Sequence, residues 1–151
     1  MILQRINRSN PEKVFIVVRN DTASAFVKGL PCVFKFDGTR DGLDVEDAKT
    51  GAAAKNHLIA GINDTAIGAG EYGLAQCYGV RTDAVILKCG TATNKNAAIG
   101  DALILHTAAS VLSGVAAGAV SAWLAGMVMG ETMASSSATA TTTATIFLRL
   151  M

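Results

Sequence analysis

Hydrophobic and polar positions along the chain change over in short runs closed by turn residues, a pattern of strands rather than of helices. Residues 14–18 form a continuous apolar run rich in β-branched side chains that ends at Arg19-Asn20-Asp21, which predicts a buried strand running into a turn. Ala25, Phe26 and Val27 predict a short strand before Gly29 and Pro31, after which Cys32, Phe34 and Phe36 alternate with Val33 and Lys35 as in a half-buried strand. Residues 57–62 and 72–80 predict a further pair, joined by a turn-rich connection around Gly68 and Gly70. In the second of these, Tyr72, Leu74, Tyr78 and Val80 lie around Gln76 on one face, and Gly73, Ala75, Cys77 and Gly79 lie on the other. The larger face is expected to fill space and the smaller one to admit a neighbour closely. Residues 85–87 and 102–105 predict two more short strands. Ile146, Leu148 and Leu150 alternate with Phe147 and Arg149, so the chain is expected to end inside a sheet. This spacing is that of a barrel or sandwich. The expected fold is mainly β, a single domain over residues 14–151 preceded by an extended arm, residues 1–13.

The remaining segments lack that pattern. The arm carries Arg5, Arg8 and Lys13 between Ile2, Leu3 and Ile6, then Pro11, with no useful periodicity. Residues 37–47 are sharply polar, with Asp37, Asp41, Asp44, Glu46 and Asp47 beside Arg40, and read as an exposed loop. Residues 48–56 are alanine-rich and predict one or two helical turns, weakened by Gly51. Residues 107–130 hold no charge, a length that would cross a bilayer, but alanine, glycine, serine and threonine dominate and no basic cluster flanks them, which argues against a span. Residues 134–145 are a Ser/Ala/Thr stretch that reads either as a flexible loop or as a β-branched edge.

Composition narrows the functional classes. Thirteen basic residues against twelve acidic ones give a formal charge of +1, which offers none of the phosphate neutralisation that nucleic-acid affinity rests on. Cys32, Cys77 and Cys89 are an odd number without a CxxC pair and read as reduced, buried thiols. The first five residues lack the apolar run of a secretory signal, so the sequons at Asn7, Asn20 and Asn63 read as chance. Gly68-Ala69-Gly70-Glu71-Tyr72-Gly73 matches GxGxxG, but the residues after it are strand-like, so no helix N-terminus is expected to receive a pyrophosphate, and a β-turn is the better reading. Asp37, Thr39 and Asp41 alternate as in a calcium loop, yet Ala48 stands where a bidentate acid is required. His57 and His106 have no Cys, Asp or Glu at ligand spacing. No nucleophile elbow, HExxH or phosphate loop is present, and the chain is read as non-catalytic, with no cofactor and no metal. Trp123, alone among small residues, reads as a core anchor or as an oligomer-interface residue.

The stretch Ile59-Ala60-Gly61-Ile62, then Ala69-Gly70-Glu71-Tyr72-Gly73-Leu74-Ala75-Gln76-Cys77-Tyr78-Gly79, resembles the central signature of the head decoration, or capsid cement, proteins of tailed bacteriophages. Ile99-Gly100-Asp101-Ala102-Leu103, the glycines at 114 and 126, and residues 144–150 continue the similarity over roughly the last two thirds of the chain; the alanine-rich run around 116–125 departs from it. The resemblance implies a small β-barrel or β-tulip-like domain on the outer surface of an assembled icosahedral capsid. It also implies the major capsid protein as partner and self-association, a homotrimer before a dimer. On that reading the arm orders on the capsid, with Ile2, Leu3 and Ile6 as apolar anchors and Arg5 and Arg8 meeting acidic surface. A tail-tube or other oligomeric virion subunit is the alternative, and a small enzyme comes third.

Overall fold

The computed structural model describes residues 12–48, 58–88, 94–95, 99–105, 111–115, 126–130 and 140–150. Strands take up 65% of these, and no α-helix occurs among them, so the domain is mainly β. In chain order the strands are β1 (Lys13–Asn20), β2 (Pro31–Phe34), β3 (Asp44–Asp47), β4 (Ile59–Asn63), β5 (Tyr72–Lys88), β6 (Asn94–Lys95), β7 (Ala102–Leu105), β8 (Leu112–Val115), β9 (Gly126–Gly130) and β10 (Ala140–Arg149). The arm before Glu12, the alanine-rich stretch 48–56 apart from Ala48, Cys89, His57, His106 and Trp123 lie outside the described residues.

The strand predicted at 72–80 and the one predicted at 85–87 are one element, the 17-residue β5. It pairs with two strands at once at 75–76, at 78–79 and at Ile86. Its first half pairs antiparallel with β1, from Lys13↔Gly79 to Arg19↔Tyr72, and with β4 at Ile62↔Gln76 and Asn63↔Ala75. Its second half pairs with β10, from Arg149↔Tyr78 to Ala140↔Lys88, and touches β8 in parallel at Ile86↔Leu112. The pairing therefore closes twice, once through β1, β3, β2, β4 and β5, and once through β5, β10, β9, β7 and β8.

Each circuit surrounds apolar side chains. Val18, Phe26, Cys32, Val45, Ala60, Ile67 and Ala75 form one cluster. Val33, Ile59, Ile62, Ile86, Leu103, Leu105, Leu112, Ile146 and Leu148 belong to the other, larger one. Neighbours Cys32 and Val33 are both fully buried but belong to different clusters, so β2 is a wall between two cores rather than the half-buried strand its alternation predicts. Phe36, placed in that strand by its pattern, lies beyond it and is exposed. β4 is buried at all five positions for the same reason. Ala25-Phe26-Val27 contributes only a single bridge, Phe26↔Ile67. The tail of the Ser/Ala/Thr stretch is strand, since β10 begins at Ala140.

Register slips let one long strand serve both circuits. Between Ala144↔Ala84 and Ile146↔Arg81 the β5 strand carries one residue more than β10, and between Val14↔Tyr78 and Phe15↔Gln76 it carries Cys77 unmatched against β1. Such bulges bend a strand and raise its twist, and they shift which side chains face inward. Gly79 sits at the hand-over, with φ +98°, and a Cβ there would collide with the carbonyl oxygen of Glu12. Gly38 has φ +82° but open space around it. Gly79→Ala is therefore expected to destabilise by about 2 kcal/mol or more, and Gly38→Ala by about 1 kcal/mol, read as urea midpoints. Equal losses in the two variants would place the strain elsewhere.

Candidate interaction surface

The acidic stretch is the first place where polar chemistry gathers, and its last four residues are strand rather than loop. Asp44 and Val45 are buried in β3, where Asp44 accepts a hydrogen bond from Arg19 Nη1 at 3.2 Å, and Leu43 supplies its carbonyl to the Arg19 amide. The expectation of an exposed loop over 37–47 is corrected there: β3 pairs with β1 and β2, and the Arg19 side chain neutralises the buried carboxylate. Asp21 joins Arg19 to Lys35, and Lys35 also holds Asp37 at 2.8 Å. Lys35, hydrogen-bonded to Asp21 and Asp37, has its pKa raised. The hydrogen bond from Lys35 is the main cause holding both Asp21 and Asp37 below the usual carboxylate range. Asp41 accepts from the amides of Asp37 and Gly38. These carboxylates are committed to the chain's own cations and amides. Among the described residues no group of three or more His, Cys, Asp or Glu is placed to hold a metal.

The GxGxxG segment folds as a turn. The Gly70 amide donates to the Asn20 carbonyl and the Gly68 amide to the Glu71 carboxylate, and β5 begins directly after it. A second charged cluster is structural too. Arg81, nearly buried in β5, donates to the Asn63 carbonyl and to Asp64, and its Nε lies 2.8 Å from Asp83 at an angle that makes an ion pair without a hydrogen bond. Its neighbour Asn63 is fully buried with neither amide atom hydrogen-bonded.

Several large apolar side chains are exposed among the described residues. Phe15 and Val17 on β1 and Tyr72 and Leu74 on β5 are exposed, Val17 at 56% and Tyr72 at 61%, and Val17 stands directly opposite Leu74. The large face of residues 72–80, read as filling space, thus turns Tyr72 and Leu74 outward. Opposite them Gly73 lets Ile67 pack against the backbone and Ala75 joins the core, while Gln76, on the same face as Tyr72 and Leu74, is fully buried. The close approach expected of the small face is what the structure has.

A second apolar surface lies across β7, β9 and β10. Gly100, Ala102, Gly126, Met127, Phe147 and Arg149 line a cleft of about 560 Å³. A Cβ at Gly126 would meet the Phe147 carbonyl, so β9 and β10 lie close there, while Met127 stands opposite both Ala102 and Phe147. Phe147 also packs edge-on against Tyr78, with ring centroids 5.3 Å apart. Contiguous apolar exposure of this kind marks docking surfaces on folded domains. None of Phe15, Val17, Met127, Phe147 or Arg149 stood out in the sequence as a binding residue, since outward and inward positions of a strand carry the same alternation. The sequence-derived contacts, Ile2, Leu3, Arg5, Ile6, Arg8 and Trp123, lie outside the described residues.

No family model, curated protein or solved structure matches the chain. No helix among the described residues is long and apolar enough to cross a membrane.

The thiols add a measurable property. Burial pushes Cys32 from 9.0 up to about 12, and it raises Cys77 as well. Both are expected to resist iodoacetamide at pH 8 in the folded protein and to react on unfolding, checked by peptide mass mapping. Because Cys32 binds its proton more tightly folded than unfolded, its contribution to stability is complete below about pH 9 and declines as pH rises from there towards 12.

Proposed function

We propose that the protein is a non-enzymatic virion subunit, a decoration or cement protein that sits on the outside of a phage capsid and bridges neighbouring major capsid subunits. The observation that carries this reading is the pair of outward apolar surfaces, on β1/β5 and on β7/β9/β10, displayed by a β domain whose charged groups are largely paired internally. The resemblance of residues 59–79 and 99–103 to the decoration-protein signature supplies the identity of the partner. The finer fold that this reading brings, a small barrel or tulip-like domain, draws support from the two closed circuits of pairing.

The arm fits the same role. It enters β1, and β3 covers β1 only at Arg19 and Asn20, so the edge over residues 13–18 faces no strand among the described residues. An open edge beside exposed apolar side chains suits strand addition with a neighbour. Self-association, as a trimer before a dimer, would draw on Trp123 or on the β1/β5 face.

Deleting residues 2–10 is expected to abolish binding to purified heads while leaving the unfolding transition of the domain in place. Undiminished occupancy of heads by the truncated protein, counted by gel densitometry, would sink the role of the arm. Binding to tail tubes instead of heads would favour a tail-tube subunit.

A further inference from the structure

We propose that the cleft across β7, β9 and β10 is an acceptor groove for an extended acidic peptide segment of another protein, one with an apolar residue two positions from a carboxylate. The inference rests on the groove alone and holds whether or not the partner is a capsid.

The shape comes from the smallest residues of the lining. Gly100, Ala102 and Gly126 leave a low surface onto which a backbone can settle, and beside it Met127 and Phe147, directly opposite one another on the same face, form one apolar wall. The volume of about 560 Å³ falls within the range of roughly 300–1,000 Å³ typical of ligand sites. Methionine is a wall that can re-pack around different side chains.

The charge comes from Arg149. It is exposed at the end of β10, it lines the cleft, and no carboxylate among the described residues forms an ion pair with it. Asp101, at the head of β7, has a partner of its own. Arg19 and Arg81 are each bound to two aspartates, whereas Arg149, like the exposed Arg40, has no ion pair among the described residues, and of these two it is Arg149 that lines the cleft.

The spacing of the ligand is set by the strand. Phe147 and Arg149 are two residues apart on one face of β10, about 7 Å along a strand. A peptide lying extended beside them presents its own residues i and i+2 at the same interval. An apolar side chain against Phe147 and Met127 therefore brings an aspartate or glutamate two positions away to Arg149. The chain's own arm is the wrong occupant: residues 1–11 hold Arg5 and Arg8 and no acid.

The test is fluorescence anisotropy of a labelled acetyl-Thr-Leu-Thr-Glu-Thr-amide titrated with the full-length protein. Saturable binding is expected, weakened about tenfold or more when lysine replaces the peptide glutamate or when Arg149→Glu is introduced, as loss of a rim-to-cleft charge pair requires. Ala102→Leu, which fills the floor, is expected to abolish it. The decisive combination is Arg149→Glu with the lysine peptide, where binding returns; a misfolded variant cannot produce that gain. Absence of saturable binding by the glutamate peptide, or binding indifferent to both Arg149→Glu and Ala102→Leu, overturns the proposal. Head occupancy of Arg149→Glu separates the two readings, because the capsid reading survives if the variant still decorates heads while peptide binding has failed.

Discussion

Both closures of hydrogen bonding in this domain run through one strand, and that places an unusual demand on β5. Where β1 and β10 meet it, at Tyr78 and Gly79, they lie on opposite sides of the same backbone, so the strand must end its service to one core and begin it for the other within two residues. A regular strand cannot do this, since its inward set is locked to one parity. The unmatched Cys77, the extra residue between Arg81 and Ala84, and the positive φ of Gly79 break that parity. A glycine is needed at 79 because the backbone of Glu12 occupies the place of a side chain.

The rest of the packing derives from sharing a strand. With two cores set side by side, the strands between them have no solvent face, so β2 and β4 are buried almost throughout. Their composition is small and apolar, as at Ile59-Ala60-Gly61-Ile62, where Gly61 lets the backbone of Gln76 and the side chain of Ala75 come close. The outer strands then carry the surplus of large apolar side chains that neither core can hold. Polar closure falls to the end of β1, where Arg19 and Lys35 gather the carboxylates of Asp21, Asp37 and Asp44.

Strand identity was largely legible in the sequence, because period-two alternation and glycine turns are local signals. The runs at 14–18, 72–80, 85–87 and 102–105 lie in strands, and those at 57–62 and 146–150 coincide with β4 from Ile59 and with β10 as far as Arg149. What alternation cannot carry is the direction of each face. Tyr72 and Leu74 differ from Gly73 and Ala75 by size, and size alone suggested that the larger set fills space; the close approach of β1 and Ile67 selected the smaller set as the buried one. Asp44 failed for a related reason: an aspartate in an acidic run reads as solvated until a strand 25 residues away supplies Arg19. The cleft was invisible because its residues come from 100–102, 126–127 and 147–149, three segments joined only by pairing across the sheet.

The two outward surfaces are unlike in a way that bears on what meets them. The β1/β5 face is broad, with Phe15, Val17, Tyr72 and Leu74 standing on adjacent strands beside an edge that no strand among the described residues covers, and it suits a sheet or a strand laid alongside. The β7/β9/β10 cleft is narrow, with a floor of glycine and alanine and the Arg149 cation at its mouth, and it suits one chain in extended form. A domain that carried only the first would associate through shape and apolar area, with little control over register. Adding an arginine beside a shallow groove supplies that control, because a carboxylate misplaced by one residue along an extended strand points to the opposite side.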